Sequence, residues 1–492
     1  MDVYINPKEI VKEPPYEQHY QDDVIRHCFS EFNKKGIFLE RLTYWQQHIN
    51  IIYPWNENYD IERTGYNRYH QVYPLAIIMA LKKSEIQWAL KKARELKVNF
   101  TIKAGGHCHA GSSLCDGFII NVSKRKYVRA YDNYLEIGAG ACLGHIEKVL
   151  SEIGGVCPYG TCMNVGACGL ALGLGVGLYI RKYGATLDNI LSVSIILADG
   201  THVVANKNEY SDLFWAMRGA GASNFGIVTD LRFRYYKLKQ VLLYKMKFAA
   251  SKFKKLLSLW QVFAPYATND LASKMCINPL NDKTCTYPIT IKGQFIGSQE
   301  QLTKLIKPFL ELSHDYKIWP SSIMEAALWH NESCQNPPWF FYYQTLFAVK
   351  PLNETAIDRL YKFIQEAPDE TSIIINALGG RFGEIKSHET AFPWRDATLW
   401  LHLASETREQ KRYPVMKKVI KSLYKDLLDV DLRNERTGVG RLYTNFKDTK
   451  LKPHEYMRAY YGNNAEKLIA IKKKYDPTNV FSSLQGIPPK LS

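Results

Sequence analysis

Apolar and polar positions along this chain fall into two textures. Between residues 84 and 238 short apolar runs alternate with glycine turns. The segment SEIQWALKKARELK (84–97) repeats apolar residues at helical spacing. Its Ser84, with Gln87 three positions on, predicts a capping box at the helix start. VNFTIKAGGH (98–107) reads as a strand entering a glycine turn, and GFIINVS (117–123) and NYLEIGAGA (133–141) as further strands. LGHIEKVLSEIGG (143–155) predicts a helix with a glycine stop. NILSVSIILADGTHVVA (189–205) predicts two strands joined by an Asp-Gly hairpin. DLFWAMRGAG (212–221) starts as a helix and leaves through glycine, and FGIVTDLRFRYYKL (225–238) is a strand pair or one long strand. The most apolar stretch, 165–180, is rich in glycine and suits a buried loop and helix.

From about 241 to 440 glycine thins out. TYPITIKGQFI (286–296), WFFYYQTLFAV (339–349) and TLWLHLA (398–404) are strand-like, and they alternate with helical KKLLSLWQVF (254–263) and NETAIDRLYKFIQEA (353–367). That order predicts an antiparallel sheet backed by helices, and an α+β class for the whole chain. AEKLIAIKKKYDP (465–477) is a last helix ending before proline. The expected organisation is an N-terminal extension (1–45), a first domain (46–240), a second (241–440), and a closing segment (441–492) that returns to the first.

The length of 492 residues suits two or three cores. With 46% hydrophobic and 23% charged residues the composition is that of an ordinary globular protein. No run of about 18 apolar residues occurs, so no membrane span is expected. The N-terminus lacks a basic start followed by an apolar stretch, so no secretory leader is read, and an intracellular or particle-associated location is expected over classical secretion. The sequons at Asn121, Asn331 and Asn353 are then chance occurrences. The charge of +16 is spread along the chain, often beside acids, and reads as a solvated basic surface without a nucleic-acid partner. Ten cysteines include no paired C-x-x-C or Cys/His spacing of zinc type, so no metal is expected. Oligomeric state is not legible.

Two glycine segments carry the chemistry. In Lys103-Ala104-Gly105-Gly106-His107-Cys108-His109-Ala110-Gly111 a strand feeds adjacent glycines, whose freedom at positive φ lets successive backbone N–H groups converge on an anion. The second, residues 160–177, holds six glycines in eighteen positions and allows close backbone approach to a large flat group. Neither is a P-loop, and neither fits the Rossmann fingerprint.

IKAGGHCHAG (102–111) resembles the pyrophosphate loop of the vanillyl-alcohol-oxidase, or p-cresol-methylhydroxylase (PCMH), type of FAD domain. GTCMNVGACGLALGLGVGLYIRKYGATLDNILSVSIILADG (160–200) and DLFWAMRGAGASNFGIVTDLRF (212–233) resemble its berberine-bridge-enzyme-like branch, as do GGRFGEI with AFPWR (379–395), YTNFKD (443–448) and the segment 460–489. The resemblance implies a two-subdomain PCMH-type FAD domain, and FAD attached twice: through His107 to the flavin 8α carbon and through Cys162 to flavin C6. It further places Lys103, Ala104, Gly105, Gly106, Cys108, His109, Gly111, Gly160, Thr161, Val165, Gly166, Gly169, Gly173, Gly226, Ile227, Val228, Tyr443 and Asn445 at the cofactor. His109 is the rival to His107, and Cys157 and Cys168 are the rivals to Cys162. Trp215, Arg218 and Phe225 read as fold-holding residues.

The resemblance implies oxidation of an alcohol carbon of a small molecule, such as a carbohydrate, with hydride passing to flavin N5 and oxygen as acceptor, giving hydrogen peroxide. Val165, at a position that gates oxygen in the family, favours an oxidase. The alternatives are oxidation of an alkaloid-like or phenolic metabolite, transfer to another acceptor, or flavin binding with little turnover. The family's Y-x-N-Y motif reads Tyr443-Thr444-Asn445-Phe446 here, and the second ring carries no hydroxyl. An ungapped reading of TLWLHLA puts Leu401 and Leu403 at the family's polar positions and turns His402 to the other face. The usual base is therefore not visible, and the candidates are Tyr443, His402 with a register shift, or a residue that the alignment misses.

Overall fold

The computed structural model describes residues 18–282, 286–331, 340–434 and 439–491. Residues 1–17 of the expected N-terminal extension lie outside them. Helices Gln18–Lys34 and Leu39–His48 follow.

Three main sheets organise the rest. In the four-stranded sheet, Phe118–Asn121 lies between Ala76–Met79 and Phe100–Lys103 and pairs with both in parallel. Ile119 and Ile120 are fully buried, as strands covered on both faces require. The crossover is helix Lys83–Glu95. Its N-cap is Lys82, not Ser84: the Glu85 carboxylate accepts from the N–H groups of Leu81 and Lys82, so Ser84 falls inside the first turn. A five-stranded antiparallel sheet runs in the order Val128–Ala130, Tyr134–Gly138, Ile227–Arg234, Ile190–Ile196, His202–Asn206. Gly200, at φ +90°, closes its Asp-Gly hairpin.

The third sheet has seven strands, in the order Asp315–Ser322, Gln240–Phe248, Ile289–Phe295, Leu271–Ile277, Thr371–Ala377, Leu399–Thr407, Phe340–Ala348. Pro320 lies on the edge strand, where its missing N–H does least harm. Alternation sorts the side chains of Gln240–Phe248 to two faces. Leu242, Tyr244, Met246 and Phe248 join the main core with helices Phe253–Phe263 and Glu354–Glu366. Val241 and Leu243 point the other way, toward helix Ile323–Asn331 and Val156 of the glycine-rich half.

The chain end closes the molecule. Helix Ala465–Tyr475 buries Lys472, which donates to the carbonyls of Asn224 and Phe481 and pairs with Asp476 at 2.7 Å. No helix among the described residues is long and apolar enough to cross a membrane.

Candidate active site

The two glycine segments meet. A Cβ on Gly105 would lie 2.6 Å from the backbone nitrogen of Gly166, so the pair can touch only as glycines. Gly106 adopts φ +68°, and among the described residues the N–H groups of Gly105, Gly106 and His107 reach no protein acceptor. In the same loop the hydroxyls of Ser112 and Ser113 are buried without partners. This is a set of donors waiting for an anion. Gly169 faces open space: a Cβ there would meet nothing within 4 Å. A phosphate-bearing, flat cofactor fits these residues.

His107 is tied to the second segment. Its ring bonds the Asn164 backbone, and Tyr66 stacks on it at 3.9 Å between ring centroids. Burial lowers its pKa to about 4, outweighing the Asn164 bond, so the imidazole is neutral near pH 7. With one nitrogen donating to a carbonyl, the other keeps its lone pair. Cys162 begins a tight turn in which Val165 N–H donates to its carbonyl at 3.1 Å, and the next residue, Met163, donates to Asn331 at 2.9 Å. The Cys162 sulfur is in a disulfide, whereas Cys108, Cys157 and Cys168 are free thiols. A flavin thioether at Cys162 requires that disulfide to be open. Burial raises the Cys157 and Cys168 thiols far from reactivity.

Several expected contacts take other roles. The Lys103 ammonium is buried and donates to the carbonyls of Glu62 and Thr64, so it anchors the loop from behind and does not reach toward a phosphate. His109 points its ring at the Lys447 backbone and lies 5.7 Å from the Phe446 ring. A Cβ on Gly226 would strike the Ile196 carbonyl, and Ile227 and Val228 pair with Ile196 and Ile195, so this stretch is bound into the five-stranded sheet. Trp215 and Arg218 hold the carbonyls of His388 and Glu389, and Phe225 is fully buried.

Tyr443 does not sit as a base. Its oxygen accepts from Gly175 N–H at 2.9 Å and from the Asn445 amide at 3.0 Å, and burial raises its pKa, keeping it a neutral phenol. Asn445 also donates to the carbonyls of Gly169 and Leu170, and a Cβ on Gly173 would overlap its amide. Tyr443 and Asn445 thus clasp helix Ala167–Gly173.

The ungapped reading of the strand Leu399–Thr407 is corrected. Leu401 and Leu403 are fully buried in the core, while His402 shares the opposite face with Trp400 and Glu406. That face meets the glycine loops. His402 contacts Tyr343 (4.6 Å between centroids) and Phe446 (5.1 Å), and its Nε2 is buried without a partner. Burial lowers its pKa to about 4. Tyr343, on the neighbouring strand, donates to Glu406 at 2.5 Å, and burial raises the Glu406 pKa. Sequence reasoning missed Tyr66, Tyr343 and Glu406. No local motif marks them, because strand register and loop contact alone bring them here.

Residues 74–206 match the FAD binding domain family, and residues 442–488 the berberine and berberine-like family. The chain is 33% identical over 451 residues to an uncharacterised FAD-linked oxidoreductase, YgaK, of Bacillus subtilis, covering 88% of this chain and 95% of that protein. It is 26% identical over 465 residues to a chitooligosaccharide oxidase of Gibberella zeae, covering 88% and 91%. A solved glucooligosaccharide oxidase of Acremonium strictum, with 6-S-cysteinyl, 8α-N1-histidyl FAD, superposes with a TM-score of 0.81 at 22% identity, covering 91% of this chain and 98% of that one. Fold and site define a flavoprotein oxidoreductase. The chain belongs to the berberine-bridge-enzyme-like family of FAD-linked oxidoreductases.

Proposed function

We propose that this protein is an oxidase of an alcohol carbon, with carbohydrate as the leading substrate class and FAD held by both His107 and Cys162. The observation that carries the chemistry is His402 Nε2, a buried ring nitrogen without a protein partner on the sheet face that meets the flavin loops. When bound, FAD supplies the acceptor for the hydride and returns the electron pair to oxygen as peroxide.

The protein's part is to bind, orient and move one proton. His402 is neutral near pH 7 because burial disfavours its charged form, so it takes the substrate hydroxyl proton. Trp400, Tyr343 and Phe446 wall it from water and hold its ring. Glu406 fixes Tyr343, which touches His402, so Glu406 is a positioning residue. His107, neutral and held by Asn164 and Tyr66, presents a lone pair for the 8α attachment. Val165 in the Cys162 turn keeps the oxygen-side approach small. Support for the carbohydrate comes from the named activities of the Gibberella and Acremonium relatives.

The test is peroxide formation by flavin-loaded protein across a panel of sugars, aromatic alcohols and alkaloids. Peroxide with sugars is expected. Flavin reduction without oxygen consumption would replace the oxidase with a dehydrogenase, and reduction by alkaloids or phenols alone would replace the substrate.

A further inference from the structure

The seven-stranded sheet carries a row of charge that the proposed chemistry leaves unexplained. Across four adjacent strands the directly opposed residues are Lys317, Lys245, Lys292 and Lys274. The row continues through Asn376 to Trp400, two residues before His402 on the same face. Exposure falls along it: Lys317 is exposed, Lys245 and Lys292 are half-buried, and Lys274 is buried at 8%.

Like charges directly opposed across strands destabilise a sheet. Here three successive pairs are like-charged, and among the described residues none of the four lysines makes an ion pair or a hydrogen bond. Their partners are rings, Trp319 beside Lys317 and Trp329 beside Lys292. A buried ammonium without a counter-ion is costly, and burial lowers the Lys274 pKa to about 8.

Unpartnered polar atoms collect at the inner end. Both ring nitrogens of the neutral His330 are unpaired, and so is Nε1 of Trp400. Gln294 and His330 line a cavity of about 40 Å³, shared with Thr161 and Met163 on either side of Cys162. That is room for a carboxylate-sized group. The carboxyl in its wall, Glu147, is bonded by Tyr159 and raised by burial to about 8, so it stays neutral and does not repel an anion.

We propose that the lysine row is a track for an anionic substrate, and that the substrate is an acidic oligosaccharide bearing carboxylates along its length. Strands lie about 4.8 Å apart, comparable to the length of one pyranose unit. Neighbouring units of a 1,4-linked chain are rotated about its axis, so carboxylates two units apart can meet lysines two strands apart, such as Lys245 and Lys274. Lys274 lies two strands from Trp400, about 10 Å away, which leaves one or two sugar units between the innermost carboxylate and His402. The outer lysines steer the anion inward and Lys274 fixes it. This assignment rests on the oxidase reading for its reaction but not for its binding.

The test uses the flavin-loaded full chain and 1,4-linked uronate oligomers against neutral glucan oligomers of equal length. Oxygen consumption gives kcat/KM, and titration calorimetry gives affinity. A preference for the uronates of about tenfold or more at low salt is expected, shrinking at high salt. Lys274→Gln is expected to reduce the uronate-to-neutral ratio about tenfold and Lys274→Arg to restore most of it, which repair of a merely structural lesion would not do; Lys317→Gln acts mainly on the salt dependence. Equal or better use of neutral oligomers, or a ratio unmoved by Lys274→Gln, overturns the track. Inorganic phosphate binding more tightly than the uronates overturns the carboxylate. Lys274-dependent uronate binding without oxygen consumption keeps the track and sinks the oxidase.

Discussion

The glycine loops and the seven-stranded sheet build the two walls of one site by opposite means. The loops do it locally: Gly105 meets Gly166, Gly173 makes room for Asn445, and Gly169 leaves open space. Each requirement falls on one residue type at one position. The sheet does it by register, and His402, Tyr343 and Glu406 come together only because their strands pair in one alignment. On the proposed reading the loop wall holds the cofactor and the sheet wall receives the substrate.

The largest effect that tests this division is on the loop wall. Replacing His107 and Cys162 together with Ala should leave no flavin on acid-precipitated protein, while either single change leaves one bond; flavin retained by the double variant would mean another attachment point. On the sheet wall His402→Ala should lower kcat by roughly 10²–10⁴-fold, the range for a lost general base, with the flavin still attached. Loss of attachment in that variant would merge the two walls into one unit. The same base sets the acid limb of the pH profile. A folded pKa of about 4 means His402 is neutral above that value, so kcat/KM should hold steady toward acid and fall only as pH drops through about 4; a fall near 6.5 would indicate an unburied histidine.

A packing change comes next. Gly173→Ala drives a methyl into the Asn445 amide and should destabilise by about 1–3 kcal/mol, read as a lowered Tm. Smallest is Tyr343→Phe, which frees Glu406 from a bond typically worth about 1.5–3 kcal/mol when one partner is charged. Part of that is offset because the raised carboxyl can protonate. It should lower kcat modestly without loosening the flavin.

The same division explains what the sequence could reveal. The hairpin at Gly200, the loop at Gly105–His107 and the helix before Pro477 were legible, because backbone conformation dictates their residue types. The base was not. TLWLHLA has the same apolar alternation whichever face turns inward, and only pairing with Phe340–Ala348 selects the face of His402. The lysine row is spread over residues 245 to 317 and in one dimension resembles solvated surface charge. Ser84 misled for a local reason: the Glu85 carboxylate reaches back to the N–H groups of Leu81 and Lys82, which starts the helix at Lys83 and puts Ser84 inside it.

Tyr443 reaches Gly175 across 268 positions, and Asn445 reaches Gly169 across 276. A nascent chain emerging from the ribosome therefore lacks this brace on helix Ala167–Gly173 until residues 443–445 have been made.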